Sequence, residues 1–450
     1  MTGILETATD AVVTAAPDSK KTKKAPPTPE EQRSAFIRLV VVLAAAVLAT
    51  VVTGTTKTVL VVVAVLTMIM LHELGHFLTA KWGGMKVTEF FVGFGPRLWS
   101  VRKGETEYGV KALPIGGYVK IIGMHNLDPV EDPADEPKAY RQKSFGRRLS
   151  VAVAGSTMHF IIAFLLFFTV NAIVGVPAAS TTIGGLVKIE GGPSPAEEAG
   201  LQVGDTIVAL DGRPAGEWDE VRGYISERPA QPIAMTVERD GQQVELTATP
   251  TDLSAIRIDG EPISAESRGF LGLEPKEKFV TTDPITAVGR SAQQWVGGDF
   301  QGIEDVSPGM IDNAKALGGI LSPSGMSSYW KTITGEEQVG RDDGGARFLS
   351  PVGFVRLGGQ AAEDSLYSVI ALLIAINLFV GLFNLLPLLP LDGGHVAIAL
   401  YEAVRSKLNG RRYTADVAKL MPLTYAVVLL MVFLGVTALY LDIVRPLNFQ

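Results

Sequence analysis

TVLVVVAVLTMIMLHELGHFLT, residues 58–79, decides the reading of this chain. As a helix it is long enough to cross a hydrocarbon core of ~30 Å, which takes ~20 residues. Inside it stand His72, Glu73 and His76. Charged side chains cost ~2.5 kcal/mol or more at the centre of a span, so those that persist there usually mark function. Positions i and i+4 of a helix share a face, so the two imidazoles can hold one metal ion while Glu73 stays near a bound water. Zinc suits this donor set: it acts as a Lewis acid and lowers the pKa of bound water toward ~7, and the carboxylate accepts the proton as a carbonyl is attacked. Polar contacts between packed helices would account for one histidine, but they explain a His-Glu-His face badly.

Composition agrees with a membrane location. Of 450 residues 47% are hydrophobic, and the mean hydropathy is +0.26. Apolar stretches at 36–53, 57–80, 149–176, 366–391 and 420–441 predict about five spans, with the first two joined by a tight turn. Cysteine is absent, which excludes disulfides and thiolate metal sites, so any zinc rests on His, Asp or Glu. A net charge of -7 and a pI near 5.5 give no support to nucleic-acid binding.

Lys and Arg near span ends favour the cytoplasmic side. Arg141, Lys143, Arg147 and Arg148 precede the third span, and Arg405, Lys407, Arg411, Arg412 and Lys419 separate the last two. Five alternating spans put both groups in the cytoplasm, together with a disordered tail at 1–35 that carries Lys20, Lys21, Lys23 and Lys24. The acidic segment between the third and fourth spans then lies outside. Its first part, 181–250, alternates short strands and turns and predicts a small β-rich domain, while 251–365 reads as a linker region. Residues 86–124 hold two β-prone, aromatic-rich runs around Lys103, Gly104 and Glu105, which predicts a re-entrant or interfacial β-hairpin.

Two histidines leave a catalytic zinc one protein ligand short. Asp392 is the candidate, in NLLPLLPLDGG at 384–394, where Pro387 and Pro390 break the fourth span at the depth of the histidines. The alternative is a helix cap at Asp392.

These residues carry a family resemblance. The His72-Glu73-Leu74-Gly75-His76 motif, Phe94-Gly95-Pro96 and PIGGYVKI at 114–121, and the NLLPLLPLDGG run resemble the bacterial site-2 proteases over nearly the whole chain after about residue 57. The resemblance implies an intramembrane zinc metalloprotease with His72, His76 and Asp392 as ligands, Glu73 as general base, and Asn384 binding substrate or a developing oxyanion. It implies a PDZ-like outer domain, carried by SPAEEAGLQVGDTIVALDG at 194–212. Its implied partners are the lipid bilayer, single-pass transmembrane substrates such as anti-sigma factors, and an upstream site-1-type protease; its implied location is the inner (plasma) membrane. One departure stands out: His159 occupies a position where many relatives carry Asn. It could hydrogen-bond substrate, orient a ligand or approach the zinc, or simply make a local contact between helices. The rival reading is a metal-handling or transport protein, but the chain shows no internal repeat or paired broken helices.

Overall fold

The computed structural model describes residues 29–188, 194–254, 257–258, 261–262, 266–297, 308–335 and 348–445. Most of the tail predicted at 1–35 lies outside them. Among the described residues, five helices are long and apolar enough to cross a membrane: Gln32–Thr53, Thr56–Trp82, Phe145–Val174, Leu366–Asn384 and Val417–Val444. The first two are helices α1 (Pro29–Thr53) and α2 (Thr56–Trp82), separated only by Gly54, at φ 71°, and Thr55.

After α2 come β1 (Val87–Lys103) and β2 (Thr106–Ile121), paired antiparallel. They form more than the simple hairpin expected. Phe90 faces both Val119 and Tyr108, and Phe91 faces both Tyr118 and Gly109, so each strand doubles back and four short segments lie side by side. Gly93 and Gly95, both at positive φ, permit the fold in β1; a Cβ at Gly93 would stand 2.7 Å from the Leu113 carbonyl oxygen. Val87 and Ile121 are buried against Ala80, Met85, Tyr140 and Val151, while Phe94, Leu98, Leu113 and Ile115 at the bends stay exposed.

Helix α3 (Phe145–Thr169) follows and ends in a π-helical turn, Val170–Val174. A β domain comes next. Its sheet is built from β3 (Val176–Leu186), β4 (Thr206–Leu210), β5 (Arg213–Pro214), β6 (Ile233–Arg239) and β7 (Gln242–Ala248), carrying helices α4 (Pro195–Glu198) and α5 (Trp218–Ser226). Two small ladders pair β8 (Thr251–Asp252) with β11 (Gly269–Phe270) and β9 (Arg257–Ile258) with β10 (Glu261–Pro262). Strand β12 (Leu273–Val280) closes the sheet, in the order β12-β3-β4-β6-β7 with β5 on β4. Ile183, Leu201, Ile207, Trp218, Val221, Met235, Val237 and Leu271 form the core. The domain therefore reaches beyond the expected 181–250: β3 starts at Val176, and β12 pairs with it from Leu186–Leu273 to Val176–Val280. LEPKEKFV was unreadable as a strand because nearly all its side chains face outward.

The described part of the remaining linker holds four helices packed on the spans: α6 (Pro284–Val296), α7 (Met310–Leu321), α8 (Pro323–Thr334) and α9 (Pro351–Asp364). Trp295 on α6 donates from Nε1 to the Phe160 carbonyl of α3 (2.9 Å). A Cβ at Gly358 on α9 would stand 2.6 Å from Val61 of α2. The chain ends in α10 (Leu366–Asn384), α11 (Asp392–Asn409) and α12 (Met421–Val444). Tyr329 of α8 meets Thr437 of α12 at 2.9 Å.

Several predicted span limits move: α1 begins at Pro29, inside the tail expected at 1–35, and two further shifts bear on the site. The third helix starts at Phe145 instead of 149 and brings Arg148 inside it. The fourth ends at Asn384 instead of 391, because Pro387 and Pro390 have no N–H to continue it. Asp392 consequently opens a new helix rather than closing the fourth span, and it is no cap: Leu391 takes that position.

Candidate metal centre

Helix α2 places His72 and His76 one turn apart, both buried, with their Nε2 atoms 3.2 Å from each other. The Oδ2 of Asp392 comes to 3.4 Å from His72 Nε2 and 3.2 Å from His76 Nε2. The three atoms make a nearly equilateral triangle. A tetrahedral zinc with bonds of ~2.0–2.1 Å has ligand-to-ligand edges of about 3.3–3.4 Å, so the triangle fits one face of that tetrahedron.

The protonation pattern fits too. His76 Nδ1 donates to the Val151 carbonyl (2.7 Å), which fixes the tautomer and leaves the Nε2 lone pair facing the centre. Asp392 Oδ2 is buried with no hydrogen-bond partner, an expensive state for a carboxylate oxygen that an ion between the three donors would relieve. The opposite wall is Gly155 of α3. A Cβ there would overlap the His72 ring and stand 2.5 Å from both Nε2 atoms. Glu73 is half-buried beside this group, and the backbone of Val119 on β2 approaches its carboxyl.

His159 lies one turn beyond Gly155 on α3. It is buried, its ring centroid is 5.0 Å from that of His72, and its Nδ1 meets Asn377 Oδ1 at 2.9 Å. Asn377 is also fully buried, and its amide donates to Leu373 O (2.7 Å) and toward Met68 Sδ (3.3 Å). It thus ties α2, α3 and α10 together. Asn384, predicted to contact substrate, is the last residue of α10 and is half-buried.

Helix α11 is fastened to α3 by a buried ion pair between Arg148 and Glu402. Glu402 also accepts from the Ala415 N–H (2.6 Å), and Tyr140 donates its hydroxyl to the Arg148 carbonyl (3.1 Å). Burial pushes the Tyr140 phenol up to about 12, so it remains a donor at any working pH. Residues 148 to 155 of α3 therefore serve all three donors: Arg148 holds the helix of Asp392, Val151 orients His76, and Gly155 leaves the space.

Asn377, Gly155 and the Arg148–Glu402 pair escaped the sequence reading. Asn377 carried a usable signal, being an amide inside an apolar span. Gly155 and Glu402 carried none that could be read without the packing.

What such a centre can do is limited: three donors positioned for zinc, with the Glu73 carboxylate beside them inside a bundle of apolar helices, describe a membrane metallohydrolase. The chain belongs to peptidase family M50, whose family model matches residues 60–431. It is a multi-pass membrane protein and a zinc metalloprotease. Among its relatives, zinc metalloprotease Rip1 of Mycobacterium tuberculosis is 30% identical over 424 residues, covering 86% of this chain and 96% of the relative. Zinc metalloprotease Rip1 of Mycolicibacterium smegmatis is 31% identical over 416 residues, covering 86% and 97%.

Proposed function

We propose that this metalloprotease cleaves peptide bonds in the transmembrane segments of single-pass membrane proteins, with His72, His76 and Asp392 holding zinc and Glu73 as general base. The observation that carries the reading is the 3.2–3.4 Å triangle of donor atoms at the half-buried Glu73. Zinc, when bound, supplies Lewis acidity toward the scissile carbonyl and the attacking water. Glu73 takes the proton from that water and delivers it to the leaving amine. An unwound substrate segment adds as a strand to the β1–β2 sheet, which exposes the amide that helix hydrogen bonding would hide. Asn384 binds the substrate backbone or its developing oxyanion. His159, with Nδ1 committed to Asn377, keeps Nε2 for the same task.

The arginines and lysines around Arg147 and Arg411 support a plasma-membrane topology with this end, and the N-terminus, in the cytoplasm. The β domain is then extracytoplasmic; its PDZ-like role is to admit substrates already trimmed by a site-1-type protease. Regulated release of anti-sigma factors is the process this arrangement suits. The test is zinc content and cleavage of a model single-pass substrate by the purified full chain. Zinc near one per chain, with cleavage lost in Glu73→Gln and both zinc and cleavage lost in Asp392→Ala, is the expected result. A Glu73→Gln protein that still cuts would end the proposal.

A further inference from the structure

Helix α11 is inside out for a helix in water. Its inner face buries a charge, Glu402 at 4% exposure, while Leu400, Val404 and Leu408 stand on its outer face at 55%, 50% and 75% exposure. These three recur every fourth residue, one stripe of a 3.6-residue helix, with Tyr401 beside them. The same stretch is basic: residues 403–415 contain Arg405, Lys407, Arg411 and Arg412 and no acid. Arg405 stacks over Tyr401 and Tyr413, 6.0 and 5.5 Å from the ring centroids. Arg412 reaches Gln142 (3.3 Å) and the Arg141 carbonyl, and Arg405, Lys407 and Arg411 have no carboxylate partner among the described residues.

The depth of the helix follows from what it touches. Asp392 lies level with Gly155, and Glu402 lies level with Arg148, near the start of α3. Along α3 those levels are two turns apart, about 10 Å, whereas α11 uses about 15 Å of its length between them. It therefore climbs obliquely from the metal donors to the membrane surface, and its second half arrives at headgroup level. An apolar stripe flanked by unpaired cations at that level matches an anionic leaflet, where each cation contributes roughly a fivefold preference.

We propose that the outer face of α11 binds anionic phospholipid headgroups and that this seating holds the third metal donor in place. The proposal rests on the membrane-spanning reading, not on proteolysis. Its occupant is a lipid because charge and apolar stripe are both presented outward, a combination no soluble anion needs.

The chain has no cysteine, so Leu408→Cys provides a single attachment point for an environment-sensitive fluorophore. The labelled full chain goes into nanodiscs of phosphatidylcholine with or without phosphatidylglycerol, with a quencher on the headgroup of one lipid or the other. Stronger quenching from phosphatidylglycerol, lost in the variant Arg405→Gln/Lys407→Gln/Arg411→Gln, is expected. Quenching that is equal for both lipids and unchanged in that variant would overturn headgroup recognition, as would a fluorophore that reads as fully in water. Zinc release to a chelator should be several-fold slower in the anionic nanodiscs, and the triple variant should remove the difference; equal release would overturn the link to Asp392. None of these readouts requires cleavage, so a failed protease assay leaves them standing.

Discussion

The β domain and the helical bundle treat buried polar groups in opposite ways. In the β domain Asp205, 1% exposed, receives two bonds from Arg239 at 2.7 Å and one from the Gln202 N–H at 2.9 Å. Ser194 and Glu197 complete a reciprocal helix cap. Among the described residues, every buried side-chain polar atom without a partner belongs instead to the helical part: His72, Asp392, Arg148, Ser156, Asn171 and Gln294. Satisfied polar groups fix a fold, whereas the unpartnered atoms of His72 and Asp392, which share one centre, leave room for something else to bind.

Breaking the helical side should give the largest effects. Glu73→Gln keeps the donors and removes the proposed base; cleavage should fall ~10²–10⁴-fold with zinc content unchanged, as read by rate assay and metal analysis. Glu402→Gln strands Arg148 in a buried setting, which should cost about 3–5 kcal/mol in denaturant unfolding and weaken zinc retention because α11 loses its anchor. Gly155→Ala puts a methyl group among the donors; zinc affinity should drop by at least ~10–100-fold, the range for disturbed ligand support, with the β domain untouched in hydrogen exchange.

Breaking the β side should do less, and only locally. Asp205→Asn should lower the stability of the β domain by about 1–3 kcal/mol, measured by hydrogen exchange at β6, while zinc content stays constant. Acid sharpens the same point. Hydrogen bonds from Arg239 hold the Asp205 carboxyl below its ordinary value, so its contribution is complete above the unfolded pKa of ~3.9 and disappears as pH falls through the lower folded one. Protection from exchange at β6, corrected for the intrinsic rate, should therefore fall below about pH 4 in the wild type, and the Asn variant should show a flatter profile.

Legibility in the sequence followed the same division. The helices announced themselves through unbroken apolar runs, and the donors through polar residues misplaced within them: His72, Glu73, His76 and Asp392 could be singled out for that reason. What stayed hidden depended on a partner distant in the chain. Arg148 looked like a residue that ends a span, because Glu402, which permits its burial, lies 254 residues away. The strand β12 and the helices α6 to α9 read as linker since their burial is one-sided and their contacts are with spans elsewhere. The doubling of β1 and β2 turns on Gly93 and Gly95, whose effect shows only in the pairing.

The third donor has a consequence for how the chain is made. Synthesis runs from the N-terminus, so a growing chain that has already threaded α2 and α3 into the bilayer carries both imidazoles and the base long before residue 392 of 450 exists. Through most of translation the nascent chain therefore lacks the third donor of the proposed centre. On the proposed ligand set, the donor triangle closes only once the fourth apolar helix is built and the helix behind it has docked, so the centre would be one of the last parts of the chain to be completed.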